Sequence, residues 1–206
     1  MTEDVRSGVE RYYSDKVREH GATHAGVDWN SRESQELRFA QLMRVADLSR
    51  PFSLLDYGCG YGALLDWLEA QGAEVDYRGY DLSEEMVARA REAHPGATFT
   101  TDERALEPAD VVVASGIFNV MAGAGEPAWR AYVADTIDRM DGLAGTGLAF
   151  NMLTSYSDAD KMRPGLFYAD PCEWFDRAKR RLSRHVALLH DYGLYEFTLL
   201  IRKDLG

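Results

Sequence analysis

The chain of 206 residues is 46% hydrophobic and 28% charged, which is typical of one globular domain with a sizeable core and excludes a disordered or fibrous protein. Its 23 basic and 34 acidic side chains give a formal charge of −11, which disfavours a nucleic acid as partner because like charges repel. Two cysteines, Cys59 and Cys172, are too few for a disulfide framework and offer no zinc-ligand spacing. We therefore expect no bound metal.

The first 50 residues are predicted to form a helical cap. Apolar residues recur there at three-and-four spacing on both sides of a loop at 21–30. The N-terminal residues MTEDVRSGVERYY lack the basic-then-apolar layout of a signal peptide, and no uncharged apolar run reaches the roughly 18 residues that span a bilayer. We expect a cytoplasmic protein that has no membrane partner.

From residue 51 to residue 206 the pattern changes to strands that alternate with helices. This rhythm is typical of an α/β fold with a doubly wound, mostly parallel sheet. Ser83 is expected to be the N-cap of one helix, because its hydroxyl can accept a backbone hydrogen bond and acidic residues fill the first turn. The cap and this Rossmann-like core are expected to form a single domain. The alternating segments are SLLDYG, ALLDWLEAQG, AEVDYRGYD, SEEMVARAREAH, ATFTTD, ADVVVASG, PAWRAYVADTIDRMDGL and GLAFNMLT.

The C-terminal segment HVALLHDYGLYEFTLLIRKD breaks this rhythm. Its two β-rich runs are joined at Tyr192-Gly193-Leu194, a connection too short for a crossover helix, so the last two strands are expected to pair antiparallel as a hairpin. The expected sheet therefore has seven strands and a reversed strand in its C-terminal hairpin. A long loop at 155–171 precedes the last helix and is expected to cover another part of the molecule.

The segment most informative about chemistry is a glycine-rich turn between the first strand and the next helix. It reads Asp56-Tyr57-Gly58-Cys59-Gly60-Tyr61-Gly62. Glycine permits the sharp turn and lets the backbone approach a ligand closely. Nineteen positions after Gly62, Asp81 ends the second apolar strand, where a carboxylate can accept hydrogen bonds from both hydroxyls of a ribose. Together they predict an adenosine-type cofactor site.

Two kinds of cofactor fit this turn. The run from Gly58 to Ala63 satisfies the pattern GxGxxA of dinucleotide-binding proteins. Three features weigh against an NAD-dependent oxidoreductase. They are the helical cap, the lack of residues for a second domain and the closing hairpin. The acidic-x-Gly-x-Gly-x-Gly spacing resembles the first motif of the class I S-adenosylmethionine-dependent methyltransferases, and the likeness covers nearly the whole chain. The resemblance implies S-adenosylmethionine as the cofactor and S-adenosylhomocysteine as the product.

The same resemblance implies roles for residues after each of the first four strands. The methionine and ribose portion of the cofactor would lie against Asp56, Tyr57, Gly58, Cys59 and Gly60. Later contacts would be Asp81 on the ribose hydroxyls, Leu82 and Met86 beside the adenine, Asp102 on the adenine amino group, and Ser115, Gly116 and Phe118 beside the departing methyl group.

Two residues of the helical cap complete the implied set. The guanidinium of Arg38 suits the planar cofactor carboxylate, although a helix-surface ion pair is an alternative. Tyr13 would be a lid residue over the cofactor, or part of the buried stripe of its helix.

Methyl transfer from a sulfonium is an in-line displacement, which a general base assists when the acceptor must lose a proton. The candidates are His190 and Asp191, then Tyr168 in the long loop, and Asn119 as a polar positioning group. Imidazole suits proton abstraction near neutral pH, but a histidine on a strand is more often structural. A non-catalytic protein that keeps the cofactor pocket is therefore a further alternative.

The residues after the fourth strand narrow the reaction. The run ASGIFNV, residues 114–120, departs from the Asn-or-Asp-Pro-Pro-aromatic motif of amino-methylating DNA enzymes and from the clustered carboxylates of metal-dependent catechol-type enzymes. The sequence therefore predicts metal-free methyl transfer to a small organic acceptor at oxygen, nitrogen or carbon. We expect a monomer or a homodimer.

Overall fold

The computed structural model of the chain describes residues 2–20 and 31–203, and the side chains of residues 5–12, 14, 15 and 31–203. Strands and helices alternate after the two helices of the cap. The helices are α1 (Thr2–His20), α2 (Arg32–Leu42), α3 (Ala63–Ala70), α4 (Glu84–Ala93), α5 (Glu126–Leu143) and α6 (Pro171–Arg181). The strands are β1 (Phe52–Tyr57), β2 (Val75–Tyr80), β3 (Thr98–Thr100), β4 (Ala109–Ala114), β5 (Ala144–Leu153), β6 (His185–Leu189) and β7 (Glu196–Arg202).

These strands form one seven-stranded sheet in the order β3-β2-β1-β4-β5-β7-β6. The pairs among β1 to β5 are parallel, whereas β7 is antiparallel to both β5 and β6. The predicted fold class, with its reversed strand in a C-terminal hairpin, is confirmed. β7 lies inside the sheet and β6 forms the edge, because the short connection at 190–195 returns the chain between β6 and β5.

Helices cover both faces of the sheet. The core on one face includes side chains of α1, α5 and α6, and the core on the other includes side chains of α2, α3 and α4. Neighbouring residues of one strand serve opposite faces, since Leu55 packs in the first core and Leu54 in the second. Strands buried on both faces read as continuous apolar runs, which is why β1 and β4 were recognisable in the sequence.

The cap helices belong to these same two layers. Val5 and Val9 of α1 are buried in the first core, and Phe39 and Leu42 of α2 are buried in the second. Among the described residues, no helix combines the length and apolar character needed to cross a membrane.

Ser83 begins α4 as predicted. Its hydroxyl accepts a hydrogen bond from the Met86 amide at 3.4 Å, and Glu84 and Glu85 lie in the first turn, where negative charge is favourable. Since β2 ends at Tyr80, only three residues separate the strand from the helix. Asp81 is therefore held at the carboxyl end of β2 and next to the N-terminus of α4.

Gly79 in β2 has no room for a side chain. A Cβ added there would lie 2.5 Å from Cδ1 of Phe99 and 2.8 Å from Sγ of Cys59. We predict that Gly79→Ala lowers the free energy of unfolding by about 1–3 kcal/mol, the usual cost of overpacking a core. Urea unfolding measures this. Gly96→Ala is the matched control, because nothing lies within 4 Å of its added Cβ. Equal midpoints for both variants would contradict the tight packing at Gly79.

Candidate active site

The turn after β1, here called the glycine loop (residues 58–62), is anchored to the end of β2. The amides of Gly58 and Cys59 donate hydrogen bonds to the Tyr80 carbonyl at 2.6 and 2.9 Å. Gly58 has a φ of 87° and Gly60 a φ of 55°, which L side chains rarely adopt. A Cβ on Gly58 would lie 2.2 Å from Cγ2 of Ile117, so the loop is also pressed against the segment after β4.

Asp81 faces this loop. Its Oδ2 accepts a hydrogen bond from the Gly60 amide at 2.9 Å, and its Oδ1 accepts one from the Ser83 amide at 2.9 Å. Burial raises the pKa of Asp81, and the backbone hydrogen bonds from Ser83, Gly60 and Leu82 oppose that shift. The pairing of the loop with this carboxylate, inferred from spacing alone, is thus a direct contact.

The loop and Asp81 form part of the wall of a cavity with about 1010 Å³ of empty space, including its opening to solvent. The cavity lies at the carboxyl ends of β1, β2 and β4, and side chains from α1, α2 and α5 complete its wall. Most of the residues that the sequence assigned to the cofactor line it, namely Asp56, Tyr57, Gly58, Cys59, Gly60, Asp81, Leu82, Met86, Ser115 and Gly116.

Two features of this wall fit a nucleoside-type cofactor. The hydroxyl oxygen of Ser115 is buried and has no hydrogen-bond partner among the described residues, so it is free to serve a ligand. Residues 58–60 present backbone to the cavity, which permits close approach of a ligand.

A cluster of charges, consisting of Arg6, Glu103 and Arg139, forms another part of the wall. The Glu103 carboxylate accepts hydrogen bonds from Arg6 at 2.7 Å, from Arg139 at 3.0 and 3.1 Å, and from the Tyr57 hydroxyl. Although burial alone would raise it, the bonds from Tyr57 and Arg139 lower the pKa of Glu103. Sequence reasoning missed this cluster, because its members lie on three separate elements and none belongs to a motif.

Two of the predicted cofactor contacts, Asp102 and Phe118, do not line the cavity. The Asp102 carboxylate is exposed and accepts hydrogen bonds from the Arg104 amide and guanidinium, so it caps a short turn, and its neighbour Glu103 lines the cavity instead. Phe118 is fully buried against Phe150, with ring centroids 5.7 Å apart, and Ile117 takes the place beside the cavity.

Of the two predicted contacts from the cap, Arg38 differs from the expectation. The Arg38 guanidinium is buried, and its Nε lies 2.9 and 2.7 Å from the two carboxylate oxygens of Glu196. In this structure it therefore pairs with a carboxylate of the protein, where a cofactor carboxylate was expected. Its Nη1 donates to the Ser34 carbonyl at 2.9 Å. The Tyr13 side chain lies outside the described residues.

The four catalytic candidates do not line the cavity. Asn119 accepts a hydrogen bond from the Leu153 amide at 3.1 Å and thus ties the segment after β4 to β5. The Tyr168 hydroxyl accepts one from the Arg163 amide at 2.9 Å within the long loop. Both side chains are therefore engaged by backbone amides, at the end of β5 for Asn119 and within the long loop for Tyr168.

His190 and Asp191 are exposed at the turn between β6 and β7. The His190 ring packs beside Tyr156 and Phe197, with centroids 5.8 and 6.3 Å away. The loop at 155–171 does cover another segment, because the Phe167 amide donates to the carbonyl of Asn119 at 2.8 Å. That covered segment is the one after β4.

Comparison with known proteins agrees with this geometry. A profile of the methyltransferase domain family matches residues 55–143. A protein of Mycobacterium tuberculosis (strain ATCC 25618 / H37Rv), named "Putative methyltransferase Rv1506c", is 52% identical over 164 residues, which are 78% of this chain and 99% of that protein.

Two solved structures share the fold. The magnesium protoporphyrin IX methyltransferase ChlM from Synechocystis PCC 6803, with bound S-adenosylmethionine, has a TM-score of 0.62 at 15% identity and covers 97% of each chain. The DhpI complex with S-adenosylhomocysteine has a TM-score of 0.66 at 16% identity and covers 98% of each chain.

The fold and the glycine loop define a Rossmann-like enzyme with an adenosine-type site. The chain belongs to the class I S-adenosylmethionine-dependent methyltransferases. The glycine pattern that also satisfied GxGxxA is therefore a methyltransferase loop, and the dinucleotide alternative is wrong.

Asp56, the acidic residue of the first motif, is almost fully buried. Burial raises the pKa of Asp56 to about 7, the hydrogen bond from the Tyr77 hydroxyl at 2.6 Å opposes this, and the nearby Asp81 charge adds to it. In an unfolded chain the same carboxyl titrates near pH 4. The folded protein therefore holds this proton more tightly, so the stabilisation is complete below about pH 4 and is lost as pH rises through about 7.

We predict that Asp56→Asn removes this pH dependence in the ligand-free protein. Between pH 5 and pH 8 the wild type should lose roughly 2–3 kcal/mol more unfolding free energy than the variant, at about 1.4 kcal/mol per pH unit. Urea unfolding at both pH values measures the difference. Asp76→Asn, an exposed carboxylate of the same sheet, is the control and should follow the wild type. Identical pH dependence in wild type and Asp56→Asn would place the titration on another group.

Proposed function

We propose that this enzyme transfers a methyl group from S-adenosylmethionine to a small organic acceptor, at oxygen, nitrogen or carbon, without a catalytic metal ion. The observation that carries the proposal is the contact between the Asp81 carboxylate and the Gly60 amide at the wall of the cavity. It supports the proposal because Asp81, which we expect to bind the ribose, contacts the glycine loop, which we expect to bind the rest of the cofactor.

Asp81 is suited to hold the ribose hydroxyls. Its Oδ2 accepts the Gly60 amide and its Oδ1 the Ser83 amide, and the carboxylate keeps further lone-pair capacity for a hydroxyl donor. Leu82 and Met86, which follow it along the cavity wall, offer apolar contact for the adenine. Ser115 and Gly116, after β4, are assigned to the methionine portion and the departing methyl group.

When bound, S-adenosylmethionine supplies a methyl group on a positively charged sulfur. The residues of this chain bind and orient the reactants, because alignment of the acceptor with the methyl carbon is the main demand of an in-line displacement. His190, Asp191, Tyr168 and Asn119 keep no part in this proposal, since they lie away from the cavity. An acceptor atom with an available lone pair fits a mechanism that relies on alignment.

The class of acceptor is proposed from charge and from the segment after β4. A formal charge of −11 disfavours a polyanionic substrate. Residues 115–125 contain no carboxylate, so the segment offers no carboxylate ligand for a hard divalent cation beside the methyl donor. Among the described residues, Asp66, Glu69 and His94 bring potential ligand atoms within 4.8 Å of one another, but none of them lines this cavity.

Binding of S-adenosylhomocysteine tests the cofactor assignment. We predict that the wild type binds it in isothermal titration calorimetry and that Asp81→Asn weakens binding by about 10-fold or more, since a lost hydrogen bond to a charged group costs about 1.5–3 kcal/mol. The variant keeps the size of the side chain, so a thermal melt can verify that it folds.

Asp76→Asn serves as the control, because this exposed carboxylate lies at the opposite end of β2. Its dissociation constant should equal that of the wild type. If Asp81→Asn bound as tightly as the wild type, the ribose role of Asp81 would be refuted. Transfer itself is checked by release of S-adenosylhomocysteine on a panel of small acceptors, with EDTA present to test metal independence.

A further inference from the structure

A line of buried hydrogen bonds runs from the cap to the cavity wall. It joins four residues that are distant in sequence: Arg38 in α2, Glu196 at the start of β7, Asn151 in β5 and Gly116 after β4. The three side chains are 6%, 2% and 0% exposed, so water does not compete for these bonds. Of the four residues of this line, only Gly116 lines the cavity.

The first link is the ion pair of Arg38 and Glu196. Nε and Nη2 of Arg38 both donate to the carboxylate, which fixes the plane of Glu196. A buried ion pair contributes little net stability compared with an apolar pair of similar size, because desolvation offsets the attraction. Its specific effect is to orient the carboxylate oxygens.

The second link fixes the amide of Asn151. Its Nδ2 donates to Oε2 of Glu196 at 3.0 Å, and its Oδ1 accepts from the Gly116 amide at 2.7 Å. If the amide were turned over, its NH₂ group would face the Gly116 N–H and its oxygen would face the Glu196 carboxylate. Both contacts would be repulsive, so Glu196 determines which way Asn151 points.

The last link acts on the peptide between Ser115 and Gly116. Gly116 has a φ of 76°, which glycine adopts without steric strain, so sterics alone do not fix the direction of this peptide. Because the Gly116 N–H is held by Asn151, the Ser115 carbonyl of the same trans peptide points away from Asn151. Ser115 also carries the buried hydroxyl that has no partner among the described residues. The direction of this peptide thus sets what the segment after β4 presents to the cavity.

We propose that Arg38, Glu196 and Asn151 form a positioning relay that holds the Ser115–Gly116 peptide in the orientation that receives the methionine portion of the cofactor. The relay lies behind the cavity wall and acts through Gly116. Its effect on ligand affinity rests on the proposed function, whereas its effect on the Gly116 amide does not.

The double variant Arg38→Met/Glu196→Leu tests the relay in the ligand-free protein. Replacing a buried ion pair by apolar side chains of similar size costs little in itself, and the loss of the partners of Asn151 and of the Ser34 carbonyl should lower the melting temperature only modestly. With ¹⁵N-glycine labelling, we expect the Gly116 amide proton to move upfield, as in Asn151→Leu, because its hydrogen bond weakens. A Gly116 resonance that moves in Asn151→Leu and stays in place in the double variant would overturn the relay.

Calorimetry with S-adenosylhomocysteine measures the consequence for binding. We expect the double variant to bind about ten-fold more weakly than the wild type, the effect of one weakened buried hydrogen bond. Arg130→Met/Glu173→Leu is the matched control, because it removes an ion pair between α5 and α6 that does not line the cavity. It should bind like the wild type.

The outcomes separate the two proposals. If the wild type binds no S-adenosylhomocysteine while the Gly116 resonance moves as expected, the relay stands and the cofactor assignment fails. If the wild type binds and the resonance moves but the affinity is unchanged, the positioning role is overturned. If the double variant does not fold, Glu196→Gln replaces it, since that change keeps the size of the side chain, and the same resonance and affinity decide.

Discussion

At the end of β2, the Asp81 carboxylate accepts hydrogen bonds from the Gly60 amide and from the Ser83 amide. One anion therefore joins a turn, a strand and the N-terminus of α4, where the helix dipole favours negative charge. The contact is possible because β1 and β2 are parallel and end side by side, with Tyr57 opposite Tyr80. The cavity opens at this edge of the sheet, and the rest of the site is arranged around it.

Buried and half-buried carboxylates lie in or behind the cavity wall, and each has its own compensation. Asp56 receives the Tyr77 hydroxyl, Glu103 receives guanidinium groups from α1 and α5, and Glu196 receives Arg38 from α2. Both helical layers thus send a polar group toward the sheet edge. Since an uncompensated buried charge is costly, these pairings restrict how the cap helices can be placed against the core. The cap is in this way part of the site.

The segments after β4 and β5 contain two of the side chains that the sequence suggested as catalytic, Asn119 and Tyr168, and neither lines the cavity. Asn119 bonds to the part-buried Leu153 amide at the end of β5, which needs a partner, and Tyr168 bonds to the Arg163 amide within the long loop. From these two segments, only Ser115, Gly116 and Ile117 line the cavity. A methyltransferase can function with such a wall, because in-line transfer depends on alignment more than on a reactive side chain.

The sequence by itself determined the alternation of strands and helices, the hairpin, the N-cap at Ser83 and the pairing of the glycine loop with Asp81. Strand burial, turn dihedrals and capping leave a record within a few residues, and the pairing with Asp81 follows from the length of one strand–helix–strand unit, 21 positions from Gly60. Only the tertiary structure decided the long-range partners of Arg38, Glu103 and Asn151, which lie 35 to 158 positions away along the chain. A guanidinium or an amide binds any suitable group that packing brings near, so its partner is not recorded in the local sequence.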